Sequence, residues 1–191
     1  ASSPIGKNVN EMQEENEKIA INTTNIQTQS QESNAIVETK TPELEKKQEP
    51  KKEEIKDPTF IKPVEGEIVK EYASENLVYS ETLKEWIIHN GIDIKADKTT
   101  IVKASSEGTI KSIKNDPRYG ITIVIEHTNG YVSIYSNLLT AEFVKEGEKV
   151  TQGKTIGTVG NTAVFEIADE PHLHFEILKD NKYLNPSEYI K

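Results

Sequence analysis

Apolar and polar positions alternate most clearly in the middle of the chain. Thr109-Ile110-Lys111-Ser112-Ile113, Ile121-Thr122-Ile123-Val124-Ile125-Glu126 and Tyr131-Val132-Ser133-Ile134-Tyr135 are β-branched or aromatic and bounded by Gly, Asn and Asp, so each predicts a strand. Asn129-Gly130 separates the last two and predicts a hairpin. Gly147-Glu148, Gly153-Lys154, Gly157 and Gly160-Asn161 then punctuate short apolar pieces and read as tight turns of a small barrel or sandwich. Only Leu83 to Ile88 and Pro186 to Ile190 leave room for a helical turn. The fold class is mostly β.

Residues 1–57 break this pattern. All 12 aromatic residues lie from Phe60 onward, and Glu, Lys, Gln, Asn, Ser and Thr dominate before it. Such a segment buries too little apolar surface to offset its ordering entropy, so a disordered stalk is expected there, ending in the charged linker Lys46 to Glu54. Residues 58–191 are long enough for one domain with its own core. A polar stalk before a compact domain is the arrangement that follows a membrane anchor, and an N-terminal membrane segment upstream of Ala1 is expected.

Charge and cysteine content exclude several classes. The net charge is −9 and Arg118 is the only arginine, so nucleic acid is not an expected partner. With no cysteine, neither disulfides nor thiolate metal sites are available.

The candidate chemistry lies in two short motifs, His89-Asn90-Gly91-Ile92-Asp93 and Pro171-His172-Leu173-His174-Phe175-Glu176, which hold three of the four histidines. Two imidazoles and a carboxylate can bind zinc and leave a fourth position for water, the open arrangement of catalytic sites. Residues two apart on a strand face the same side, so His172 and His174 can enter one cleft. The remaining His127 is read as structural, and Trp86 as a core or lip residue.

From Phe60 onward the chain resembles the lysostaphin and LytM-type zinc endopeptidases, which cut peptide cross-bridges in bacterial cell walls. The likeness rests on His89-x-Gly91-Ile92-Asp93, Tyr119-Gly120, His127-x-Asn129-Gly130-Tyr131, Tyr135-x-x-Leu138, Ile156-Gly157, His172-Leu173-His174-Phe175-Glu176 and Asn185-Pro186, in that order. It implies a small antiparallel β-sheet or open barrel of the lysostaphin type. It also implies zinc held by His89, Asp93 and His174, with His172 beside it as a catalytic histidine.

Two departures alter the expected activity. Asn137 in Tyr135-Ser136-Asn137-Leu138 stands where active members carry a second catalytic histidine, and an amide cannot shuttle a proton near neutral pH. Phe165-Glu166-Ile167-Ala168-Asp169-Glu170-Pro171 replaces the small, Gly-rich approach of active members and places extra carboxylates at the cleft mouth. With the acidic stalk, these features resemble sporulation members of the family. That resemblance implies a zinc-binding, catalytically impaired assembly module in the engulfment complex. It would be anchored in the forespore membrane with its domain in the intermembrane space, and would meet a mother-cell membrane protein, with peptidoglycan as a further ligand. An active peptidoglycan endopeptidase and a non-catalytic adaptor for another wall hydrolase are the alternatives.

Overall fold

The computed structural model describes residues 55–191; of the stalk expected over residues 1–57, residues 1–54 lie outside them. The strands are, in chain order, β1 (Glu67–Lys70), β2 (Ala73–Ser80), β3 (Glu85–His89), β4 (Ile92–Lys95), β5 (Ile101–Lys103) and β6 (Gly108–Asp116). After these come β7 (Gly120–Glu126), β8 (Tyr131–Thr140), β9 (Lys149–Val150), β10 (Thr155–Val159), β11 (His172–Lys179) and β12 (Lys182–Leu184). No α-helix occurs among the described residues; the only helical pieces are 3-10 turns at Thr128–Gly130, Val164–Glu166 and Pro186–Glu188.

Ten strands form one antiparallel sheet. Its main path runs β1-β4-β11-β8-β7-β6-β9, with β12 beside β11 and β10 joining β5 to β8. β2 and β3 form a separate hairpin. The three strands read from the alternation are β6, β7 and the first half of β8. The predicted hairpin also forms: Asn129 and Gly130 take φ of 54° and 75°, and His127 N–H donates to Tyr131 O at 2.9 Å. Ile55 to Asp57, assigned to the stalk, dock on this turn, where Asn129 Nδ2 donates to Ile55 O at 2.9 Å and to Asp57 Oδ1 at 2.7 Å.

Period two sorts β4 and β11 into a core side and a site side. Ile92 faces Phe175 and Ile94 faces Leu173 across the ladder, all four fully buried. Ile123, Ile125, Tyr135, Leu138 and Ile177 extend that core, and each such side chain contributes about 1.5–3 kcal/mol by leaving water. The residues between them, Asp93, His172, His174 and Glu176, are displayed on the opposite face of the same strands.

Two local expectations are corrected. Leu83 to Ile88 is not a helical turn: Ser80 Oγ accepts from Leu83 N at 3.1 Å to close a reverse turn, after which β3 runs as a strand. Cross-strand pairing of Trp86 with Tyr79, with ring centroids 5.6 Å apart, favours that strand, and Trp86 is 65% exposed on the hairpin surface rather than in the core. Gly157 is not in a turn but inside β10, where a Cβ would stand 2.6 Å from Thr140 O; glycine permits that close strand approach.

His127 joins a polar chain inside the domain. Its Nε2 lies 2.7 Å from Ser133 Oγ, Ser133 donates to Tyr135 OH at 3.0 Å, and the same phenol oxygen accepts from Ser105 N at 2.8 Å. Burial pushes the Tyr135 phenol up to about 12, so it stays neutral and satisfies groups that would otherwise be orphaned.

Candidate metal centre

The ladder itself brings the two motifs together, because His174 on β11 pairs with Asp93 on β4. His89 arrives from the end of β3, where Gly91 lets the chain turn closely against β11: a Cβ there would sit 2.5 Å from Phe175 O. The result is a triangle of donor atoms. His174 Nδ1 lies 2.8 Å from Asp93 Oδ1, and His89 Nε2 lies 3.2 Å from each of these atoms.

Those spacings fit a metal ion. Zinc bonds of about 2.0–2.1 Å place tetrahedral donors about 3.3 Å apart. The outer ring nitrogens are already engaged: His89 Nδ1 donates to Glu71 O at 2.8 Å, and His174 Nε2 to Glu176 Oε1 at 3.1 Å. Such bonds set the tautomer and turn the inner nitrogens to the centre. Asp93 divides its two oxygens. Oδ1 joins the triangle, while buried Oδ2 lies 3.2 Å from Lys70 Nζ without the angle of a hydrogen bond.

The electrostatics agree. Burial works against the charge on Asp93, yet bonds from His174 and His89 hold its carboxyl well below the usual range. Burial also opposes charge on His174, but Asp93 and Glu176 raise it well above an ordinary histidine. In the metal-free protein, protons thus supply the positive charge the carboxylates demand; metal binding would release them.

Of the expected residues, His89, Asp93, His172, His174 and Asn137 all converge here, each 3% exposed or less. His172 stands off the triangle: Nδ1 donates to Glu170 O at 2.7 Å, and Nε2 faces Glu166 Oε2 at 3.3 Å. Asn137 lies where β8 changes partner, between Ser136, which pairs with β11, and Leu138, which pairs with β10. It adopts φ 62°; its Oδ1 accepts from Thr162 N at 2.8 Å and Ala163 N at 3.0 Å, and its Nδ2 donates to His172 O at 3.0 Å. The amide is therefore a structural clip, with both ends bound to backbone.

Four contributors were given no role from the sequence. Glu166 belongs to the buried group of His89, Asp93, Glu166 and His174, whose donor atoms all lie within 4.8 Å of one another, rather than to the cleft mouth. Glu176 orients His174, and its period-two spacing from that residue was a usable signal. Lys70, from β1, contacts Asp93 and Asp169 and had no local signal. Tyr119 stacks flat on His174, with centroids 5.0 Å apart.

A twisted antiparallel sheet displaying a buried His–Asp–His group on its site face defines a class, and residues 87–186 match the model of peptidase family M23. The chain belongs to that family. It is 34% identical over 105 residues to stage II sporulation protein Q of Bacillus subtilis, a match covering 54% of this chain and 36% of that protein. Among solved structures it is similar to that of the SpoIIQ–SpoIIIAH pore forming complex, with 26% identity and a TM-score of 0.62 over 70% of this chain and 92% of that one. The catalytic domain of lysostaphin from Staphylococcus simulans shares the fold at 25% identity and a TM-score of 0.53, over 65% of this chain and 91% of that one.

Proposed function

We propose that this chain is a zinc-binding, catalytically impaired M23 domain that serves as an assembly module in a trans-envelope sporulation complex. The observation that carries the reading is Asn137. Its side chain stands beside His172 with both polar ends committed to backbone, so no second imidazole is available to move a proton. Loss of such acid–base help costs typically about two to four powers of ten in rate.

His89, Asp93 and His174 would hold the zinc, with Glu176 and Glu71 O fixing the two imidazoles. A bound zinc supplies Lewis acidity and can lower the pKa of a coordinated water. In this reading its main use is structural: it ties β3, β4 and β11 together. The partner is SpoIIIAH of the mother-cell membrane, a reading supported by the likeness to SpoIIQ in its complex with that protein. The hairpin β2–β3 pairs with no other strand among the described residues, and its free edges can accept another chain. The domain would lie in the intermembrane space, held by an N-terminal forespore-membrane anchor; no helix of the described residues is long and apolar enough to cross a membrane.

The test is release of soluble fragments from purified peptidoglycan by zinc-loaded protein, against the chelated protein, together with binding of each form to SpoIIIAH. No release, with zinc-dependent partner binding, is expected. Metal-dependent release at a clear rate would overturn the reading in favour of a working endopeptidase. A second reading, an adaptor for another wall hydrolase, is favoured by the Phe165 to Pro171 segment, which carries Glu166 into the cleft.

A further inference from the structure

Glu166 does not sit on a strand. It ends the 3-10 turn Val164–Glu166 and is 5% exposed. Its carboxylate meets three neighbours: Oε2 lies 3.3 Å from His172 Nε2, and Oε1 lies 3.9 Å from both His174 Nδ1 and Lys70 Nζ. The donor atoms of His89, Asp93, Glu166 and His174 fall within 4.8 Å of one another, so the Glu166 carboxylate stands beside the triangle and needs only a small shift to join it. Asp93 Oδ2 is buried and accepts no hydrogen bond, its nearest cation being Lys70 Nζ at 3.2 Å.

The segment carrying Glu166 is pinned at both ends. Before the turn, Asn137 Oδ1 accepts from Thr162 N and Ala163 N, and Phe165 N donates to Arg118 O at 3.1 Å. After it, Lys70 Nζ holds Asp169 Oδ2 at 2.7 Å while facing Asp93 at 3.2 Å and Glu166 at 3.9 Å. Ala168 N adds a bond to Thr82 Oγ1 at 3.1 Å. Lys70 on β1 and Thr82 in the β2–β3 turn both precede the residues 87–186 matched to the family model, so this fastening comes from outside the matched segment.

We infer that Glu166 is a built-in fourth protein donor. One of its oxygens completes the His89, Asp93 and His174 set toward zinc, takes the position a water would need for hydrolysis, and is held there by Asn137 on one side and the Lys70–Asp169 clamp on the other. The inference rests on the zinc reading above and goes beyond it: the site becomes a closed cage of two nitrogens and two oxygens, the arrangement of structural zinc sites. The two departures of this chain are then one device. A histidine at position 137 would offer a single inward nitrogen, which cannot accept both the Thr162 and Ala163 N–H groups that seat the turn. His172, facing Glu166 rather than solvent, positions the carboxylate.

The experiment uses the full 191-residue chain loaded with cobalt(II), whose visible spectrum reports the coordination sphere, titrated with azide as a small anionic probe. The wild-type spectrum is expected to resist azide. Glu166→Ala is expected to admit azide and to lose roughly tenfold or more in zinc affinity, read by competition with a chelator. Glu166→Gln, which keeps the volume, should show the same loss if the alanine variant folds poorly. Asp169→Asn leaves all four donors in place and loosens the clamp, so azide should enter at concentrations between those of wild type and Glu166→Ala. Azide entry into the wild type as readily as into Glu166→Ala, with equal zinc affinities, overturns the inference and leaves the zinc reading standing. Failure of the wild type to bind either metal overturns both.

Discussion

Replacing Asn137 tests whether it is a structural clip. In Asn137→Ala, Ala163 N–H and His172 C=O, both on fully or nearly fully buried residues, lose their side-chain partner, while half-buried Thr162 N–H can turn to water. An unsatisfied buried polar group costs about 1–3 kcal/mol, so the two together cost about 2–6 kcal/mol. The left-handed φ of 62° adds about 1 kcal/mol more, because alanine tolerates that conformation less well than asparagine. The sum, about 3–7 kcal/mol, is a large part of a domain stability of about 5–15 kcal/mol. Urea unfolding of the zinc-loaded chain, followed by far-UV circular dichroism, measures it; Trp86, 65% exposed, is a poor reporter of the core. Asn137→Gly removes the same hydrogen bonds but relieves the backbone, and should recover about 1 kcal/mol of the loss. A loss below about 1 kcal/mol in Asn137→Ala, with an unchanged denaturant slope, would refute the clip.

Three further outcomes follow from other parts of the fold. Gly120→Ala places a Cβ 2.1 Å from Thr162 Oγ1 at φ 71°, whereas Gly147→Ala meets nothing within 4 Å at φ 79°; urea unfolding should show the first costing about 3 kcal/mol or more and the second about 1 kcal/mol. Burial holds His127 below its ordinary 6.5 despite the Glu107 carbonyl. The unfolded chain therefore binds more protons, and this contribution to stability is lost as pH falls through 6.5 toward the lower folded value. His127→Gln should flatten that part of the stability–pH curve in chelated protein, and parallel curves would refute the assignment. If the proposed assembly role holds, His89→Ala should lower both zinc binding and affinity for SpoIIIAH; unchanged partner affinity in the metal-free variant, measured by calorimetry, would separate metal from assembly.

Closure by Glu166 would give His89, Asp93 and His174 a use in a chain that carries asparagine at position 137. A site tied to three strands and a loop can stabilise a surface for assembly without turning over substrate. Proximity of protein donors, rather than an open water position, would then be what the metal is used for.

Much of the centre was legible because strand geometry is local. Alternation in β6, β7 and β8 reflects the period of the pleat, and the same period places His172, His174 and Glu176 on one face of β11 once Leu173, Phe175 and Ile177 face the core. Asn129-Gly130 specified its hairpin through the positive φ values that those residues tolerate. The sequence by itself therefore determined the β class, put His89, Asp93 and His174 in two motifs that strand geometry can bring together, and set an amide rather than an imidazole at position 137. Only the tertiary structure decided that Glu166 enters the centre and that Lys70 faces it. A loop has no repeating period, so the direction of its side chains depends on distant anchors: here Asn137 on β8, Arg118 before β7 and Lys70 on β1. Trp86 and Gly157 show the same limit, since one's exposure and the other's tight contact arise from which strand lies alongside, and neighbours far apart in sequence leave no mark in a local pattern.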